Sequence, residues 1–218
     1  MMSSIESQLF YLAEFNEKVV DIREQFPIFP LNYSQRIAKN LGVQHPIHPK
    51  SKESIVMTTD QLLTISTAEG LSYHAISVKP ESKMNDQRVL EKIDIERVCW
   101  TQLGVKFSIF TGNEVTEVQS RNIDWATGPF RESPYRFSQD QINFALSEIV
   151  IGQHFLADMC KQITRTGLVS VDEAQLLLRF LIAEKYINVD LSTYIPELGV
   201  IDVLAVRELQ LGVVNAAS

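Results

Sequence analysis

The alternation of apolar and polar residues organises the amino-terminal two-thirds of the chain. In "YHAISVKPES" (73–82), Ile76 and Val78 alternate with Ser77 and Lys79, which predicts a short strand with one apolar and one polar face. Pro80, which has no backbone N–H, ends that ladder. Upstream, "SSIESQLFYLAEF" places Ile5, Leu9 and Leu12 one helical turn apart. "KVVDI" (18–22) reads as a strand, and "QFPIFPLNYS" is held extended or turning by Pro27 and Pro30. "SQRIAKNLG" (34–42) is a short helix closed by Gly42. "HPIHPKSKES" is a proline-punctuated loop. Two strands follow, within 54–66 and 72–79, joined by "TAEG". "NDQRVLEKIDIERVCWTQLG" (85–104) carries the strongest helical pattern, and "VKFSIFT" (105–111) alternates again. Helix, strand, strand, helix, strand predicts a mixed sheet flanked by helices.

The pattern changes near "TGPFRESPYRFSQ" (127–139), whose two prolines and glycine suggest a linker between a domain at 1–130 and one at 138–218. Beyond it, helical stretches are expected near 138–149 and 152–164. A third helix starts at Ser170, with Glu173 at capping-box spacing. "YINVDLSTYIPELGVIDVLAV" then reads as two strands around a longer turn. Helices followed by a hairpin are the pattern of a small winged-helix-like domain.

Composition narrows the classes. The 218 residues are 45% hydrophobic, enough for a sizeable core. The longest apolar stretch, "LLLRFLIA", is interrupted by Arg179, and no run approaches the roughly 18 residues of a membrane span. The start "MMSSIESQLF" lacks the basic and apolar regions of a secretory signal. Two cysteines, Cys99 and Cys160, make a disulfide framework improbable and fit a reducing cytoplasm. The net charge of −7 is spread over both halves and argues against DNA binding driven by charge alone.

Among polar residues, Glu6, Asp60, Ser77, Lys79 and Glu96 stand out. Asp60 lies in an apolar, threonine-rich strand, and Lys79 ends the next one; antiparallel pairing would bring them close. Two carboxylates and a lysine suit metal-assisted phosphodiester hydrolysis. Hard oxygen ligands hold Mg²⁺, and an ammonium orients water or offsets charge on the transition state. Each residue also has a plainer explanation. Glu6 stands at capping-box spacing from Ser3. Asp60 suits a strand edge, and Lys79 a solvated strand end that discourages pairing. Glu96 shares a helix face with Ile93 and Trp100, which a salt bridge would explain. The four histidines lack neighbours at ligand spacing, and neither a phosphate-cradling glycine loop nor a Gly-x-Ser-x-Gly elbow occurs.

Taken together, "VVDIREQFPIFP", "VMTTDQLL", "HAISVKPESKMNDQRVLEKIDIERVCW", "FSIFTGNEV" and "NIDWA" resemble, in order, the TnsA endonuclease family of heteromeric bacterial transposases. The likeness covers about residues 3–128; the second domain is similar more loosely, chiefly at "CKQI". It implies a restriction-endonuclease-like fold with a carboxy-terminal winged-helix-like domain. It also implies a Mg²⁺-dependent DNA endonuclease, with Mn²⁺ as a substitute, that cuts the 5′ ends of a transposon. A DDE transposase of the TnsB type would cut and join the 3′ ends, and an AAA+ ATPase regulator of the TnsC type would couple cutting to target choice. Carried over, Glu6 is the helix carboxylate, Asp60 the strand carboxylate and Lys79 the lysine. Glu96 is an outer or substrate-positioning group. The metal would rest on Glu6, Asp60 and the main chain at Ser77 or Val78. The implied setting is the bacterial cytoplasm, at the nucleoid.

Two departures bear on this expectation. Ser77 occupies a position where the family often has Gln, and serine is a poor metal ligand. Family members often carry a longer polar or basic stretch ahead of the helix glutamate. Both favour, as the alternative, a catalytically weak adaptor bridging transposase and ATPase. A stand-alone repair or restriction nuclease is a third option, which the acidic charge and second domain disfavour.

Overall fold

A computed structural model describes residues 3–132 and 136–208. The chain divides into two compact units, residues 1–117 and 118–218.

The first unit is a four-stranded mixed sheet with helices on both faces. Its elements are α1 (Ser4–Glu14), β1 (Val19–Pro27), α2 (Leu31–Leu41), β2 (Thr58–Thr67), β3 (Gly70–Val78), α3 (Gln87–Gln102) and β4 (Lys106–Phe110). The strand order is β1-β2-β3-β4. β1, β2 and β3 are antiparallel neighbours, whereas β4 returns parallel to β3 after the α3 crossover. Successive strand residues point to opposite faces, so adjacent apolar pairs feed two cores. Leu63, Ile76 and Val78 pack against Leu9 and Ala13 of α1. Leu62 and Ala75 pack on the other face against Ile37 and Ala38 of α2 and Ile95, Cys99 and Trp100 of α3. This is the mixed sheet flanked by helices that the pattern predicts.

The termini of these elements follow from local chemistry. Ser3 and Glu6 form a reciprocal capping box at α1. Asp86 caps α3 by accepting from the N–H groups of Arg88 and Val89. Gly42 ends α2 in the left-handed conformation that glycine adopts most readily.

The division between the units falls inside α4 (Glu114–Arg131). The sequence from 127 therefore begins as helix, and residues 133–135 of the expected linker lie outside the described residues. Pro129 lies in the last turn of α4, and a helical proline leaves the carbonyl four residues back without its usual donor. Here Arg179 Nε supplies the missing bond to Trp125 O at 2.7 Å, and its guanidinium lies over the Trp125 ring. Pro129 is accommodated for that reason.

The second unit continues with α5 (Gln139–Glu148), β5 (Gly152–Phe155), α6 (Leu156–Ile163), α7 (Val171–Ala183), β6 (Ile187–Val189), α8 (Ile195–Leu198) and β7 (Val200–Val206). Its sheet runs β5-β7-β6, antiparallel throughout. α5 and α7 begin at the capping boxes of Ser138 and Ser170. The helix expected near 152–164 begins only at Leu156, because Gly152–Phe155 pair with β7. Asn122, fully buried, donates to the carbonyls of Leu191 and Thr193 and accepts from Ile195 N–H. It thereby fixes the loop between β6 and α8.

Among the described residues, no helix is long and apolar enough to cross a membrane.

Candidate active site

The site forms where β2 and β3 part. Their register ends at Gln61 opposite Ile76. One residue further, Asp60 meets the freed Val78 N–H with its carboxylate instead of its main chain, at 2.6 Å from Oδ2. The same oxygen accepts from Lys79 Nζ at 2.8 Å and from Ser77 Oγ at 3.4 Å. Three donors on one carboxylate oxygen hold it in one orientation. Lys79 Nζ also donates to Val78 O at 2.7 Å. Lys79 is thus a paired lysine at the splayed strand end, its side chain 31% exposed against 14% for Asp60.

Alternation explains why these side chains meet. Asp60 is two residues from Leu62, and Ser77 and Lys79 are two and four from Ala75. All three therefore share the face covered by α2 and α3. That face of α3 presents Ile95, Cys99 and Trp100 as apolar cover, and Glu96 as a carboxylate. Glu96 is 5% exposed, and its Oε1 has no hydrogen-bond partner among the described residues. Burial pushes its pKa up to about 7. The Thr59 hydroxyl draws it back, the Asp60 charge raises it further, and Lys79 and Ser77 oppose that rise. An orphaned, buried carboxylate oxygen beside an aspartate and a lysine is the kind of group that a cation would satisfy.

The structure brings Asp60, Ser77 and Lys79 into direct contact and sets Glu96 among them. Glu6 stands apart from that contact group. Its helix packs on the opposite face of the sheet, and its carboxylate accepts Ser3 N–H at 2.6 Å to close the capping box. Its carbonyl, however, accepts from Nε2 of Gln61, the neighbour of Asp60, at 3.4 Å. The α1 backbone at Glu6 is therefore tied to the strand position beside the site. Among the described residues, no group of three or more His, Cys, Asp or Glu side chains forms a ready-made metal cage.

Three contributors escape a reading by spacing. Thr59 Oγ1 accepts from Trp100 Nε1 at 2.6 Å, anchoring α3 to the strand at the residue before Asp60. Gln61 is fully buried beneath α1. Gln25 of β1 donates from Nε2 to Asp60 Oδ1 at 3.2 Å. The threonine-rich run before Asp60 was the available signal for Thr59; nothing local marks Gln25.

The stretch that carries Asp60, Ser77, Lys79 and Glu96 resembles a known endonuclease family. Residues 16–112 match the family model described as "TnsA-like endonuclease N terminal". They include Asp60, Ser77, Lys79 and Glu96 and exclude Glu6. The chain is also similar to the transposon Tn7 transposition protein TnsA of Escherichia coli, with 36% identity over 125 residues. That stretch is 57% of this chain and 44% of the Tn7 protein, so the chain spans less than half of the relative it matches.

Proposed function

We propose that this chain is a TnsA-type endonuclease subunit of a heteromeric transposase, hydrolysing the DNA strand at the 5′ ends of a transposon. The observation that carries the reading is the Asp60–Lys79 pair at the parted ends of β2 and β3, within the stretch similar to TnsA-like endonucleases. A DDE transposase of the TnsB type would cut and join the 3′ ends. An AAA+ regulator of the TnsC type would engage the complex, through the second, winged-helix-like unit. The net charge of −7 fits a subunit to which partners deliver the DNA.

Mg²⁺, with Mn²⁺ as its substitute, would be held by Asp60 together with Glu6 and the main-chain carbonyls at Ser77 and Val78. Asp60 and the main-chain carbonyls offer the hard oxygens that Mg²⁺ takes, whereas the Glu6 carboxylate would have to leave its capping box to join them. The unpartnered Glu96 Oε1 adds a further acceptor at the site or for its bound water. When bound, the ion would lower the pKa of water and offset charge on the scissile phosphate. Lys79 would orient the attacking water and stabilise the phosphorane-like transition state with its ammonium. Asp60 keeps that ammonium in place. Ser77, whose hydroxyl contacts Asp60 at 3.4 Å, would support the aspartate and leave side-chain coordination to others.

The test is end cleavage in a reconstituted transposition reaction with Mg²⁺ and partner subunits. Asp60→Ala and Lys79→Ala should each abolish 5′-strand cleavage while 3′ cutting continues; full 5′ cleavage by either variant refutes the assignment. Ser77 is the feature that favours the alternative, an adaptor with weak or lost cleavage. Under that reading, wild-type protein would support assembly yet leave the 5′ strands intact.

A further inference from the structure

Gln25 breaks the strand it sits in. It has a φ of +48° within β1, a left-handed conformation that non-glycine residues seldom adopt and that costs conformational energy. The consequence is visible in the packing. Ile22 packs with the α1 core and Phe26 with the α3 core, where it meets the Trp100 ring at 6.0 Å. Residues four apart in a regular strand point to the same face. The reversal is placed at Gln25, between the retained pairs Glu24–Gln61 and Phe26–Thr59. Gln25 thus stands opposite Asp60.

The side chain uses this orientation at both ends. Its Nε2 donates to Asp60 Oδ1 at 3.2 Å, and its Oε1 accepts from Thr58 Oγ1 at 2.9 Å. An ionised carboxylate only accepts, so the amide must present nitrogen to Asp60 and oxygen to Thr58. Asp60 Oδ2 is already occupied by Val78 N–H, Lys79 and Ser77. Oδ1 accepts from Gln25 and keeps a second lone pair.

We infer that Gln25 is a positioning residue. Its carboxamide sets the rotation of the Asp60 carboxylate so that Oδ1 presents a free lone pair to the metal, and the left-handed backbone exists to aim that carboxamide. The inference rests on the reading of Asp60 as a metal ligand. Partners that orient a ligating carboxylate commonly govern metal affinity by about 10- to 100-fold.

Two substitutions separate the amide from the backbone. Gln25→Gly removes the amide and adopts φ +48° without strain; Gln25→Ala removes the amide and keeps the strain. Mn²⁺ affinity would be measured by calorimetry on full-length protein without DNA, beside thermal unfolding, with Asp60→Ala as reference. The expected result is weakening of at least about tenfold in both variants, with Gln25→Gly melting no lower than wild type and Gln25→Ala lower. Wild-type Mn²⁺ affinity in Gln25→Gly would overturn the inference, because the backbone alone would then suffice. A wild-type titration matching that of Asp60→Ala would overturn it also. If Mn²⁺ binds at Asp60 and follows the expected pattern, but wild-type protein cuts no 5′ strand with its partners, the nuclease reading fails and the inference stands.

Discussion

Asp60 Oδ2 and Val78 N–H lie 2.6 Å apart, at the point where a side chain replaces the main chain in the β2–β3 ladder. This contact makes the two members of the Asp60–Lys79 pair structurally unequal. Val78 is buried, so an Asp60→Ala change strands its N–H as well as the lysine. Lys79→Ala leaves Asp60 with Val78 N–H, Ser77 and Gln25 as donors. Asp60→Ala should therefore cost about 2 kcal/mol of folding stability and Lys79→Ala about 1 kcal/mol or less, the pair being partly exposed to screening. Urea unfolding measures both; equal losses would mean that the N–H bond carries little weight.

Ser77→Ala isolates the weakest of the three donors. Its 3.4 Å contact is at the limit of a hydrogen bond, and the alanine fits the buried site, since Ser77 is fully enclosed. Cleavage at saturating Mg²⁺ should fall no more than a few-fold, about 1 kcal/mol at most. An inactive variant would assign the hydroxyl a direct part in the reaction.

The helical proline of α4 gives a prediction independent of chemistry. Arg179 donates to the Trp125 carbonyl that Pro129 cannot reach. Arg179→Met should destabilise the protein by about 1–3 kcal/mol. In a Pro129→Ala background the alanine N–H can take that carbonyl, so the same change should cost clearly less. A double-mutant cycle with no coupling would show that Trp125 O finds another donor.

The legible parts of the molecule are those with local periodicity. Alternation at Ile76–Lys79 and helical spacing through Ile93–Trp100 locate β3, α3 and the polar residues that they carry. Capping chemistry locates α1 and α7. Features set by distant partners are silent in sequence. β5 looks like the start of a helix until β7 pairs with it, and Pro129 reads as a linker because Arg179, which rescues its helix, is 50 positions away. The site is divided in this respect. Antiparallel pairing of the two strands already predicts that Asp60 and Lys79 lie close, whereas Gln25 acquires meaning only through its left-handed φ. Glu96 is visible as a carboxylate on an apolar helix face, but its missing partner is a property of the packed fold.

Burial makes the charge of Glu96 costly to the fold. Its folded pKa of about 7 lies above the ordinary carboxylate value of 4.5, chiefly through burial. A raised acid binds its proton more tightly in the folded state. The associated stability is present in full below the unfolded value and is lost as pH rises through the folded one. Glu96→Gln keeps the shape and never ionises. In Mg²⁺-free buffer the variant should gain on wild type progressively between pH 5 and 8, by up to about 3 kcal/mol. His45 and His74, both pushed down by burial, destabilise the fold as pH falls, but equally in the two proteins. Their effect cancels in the difference. Mg²⁺ should then narrow the gap at pH 8, because a cation bound near the ionised carboxylate stabilises wild type more than the neutral variant. Parallel melting curves across the pH range would show that Glu96 finds a partner in solution and would remove it from the metal site. A gap that Mg²⁺ leaves unchanged would keep the buried acid but separate it from the ion.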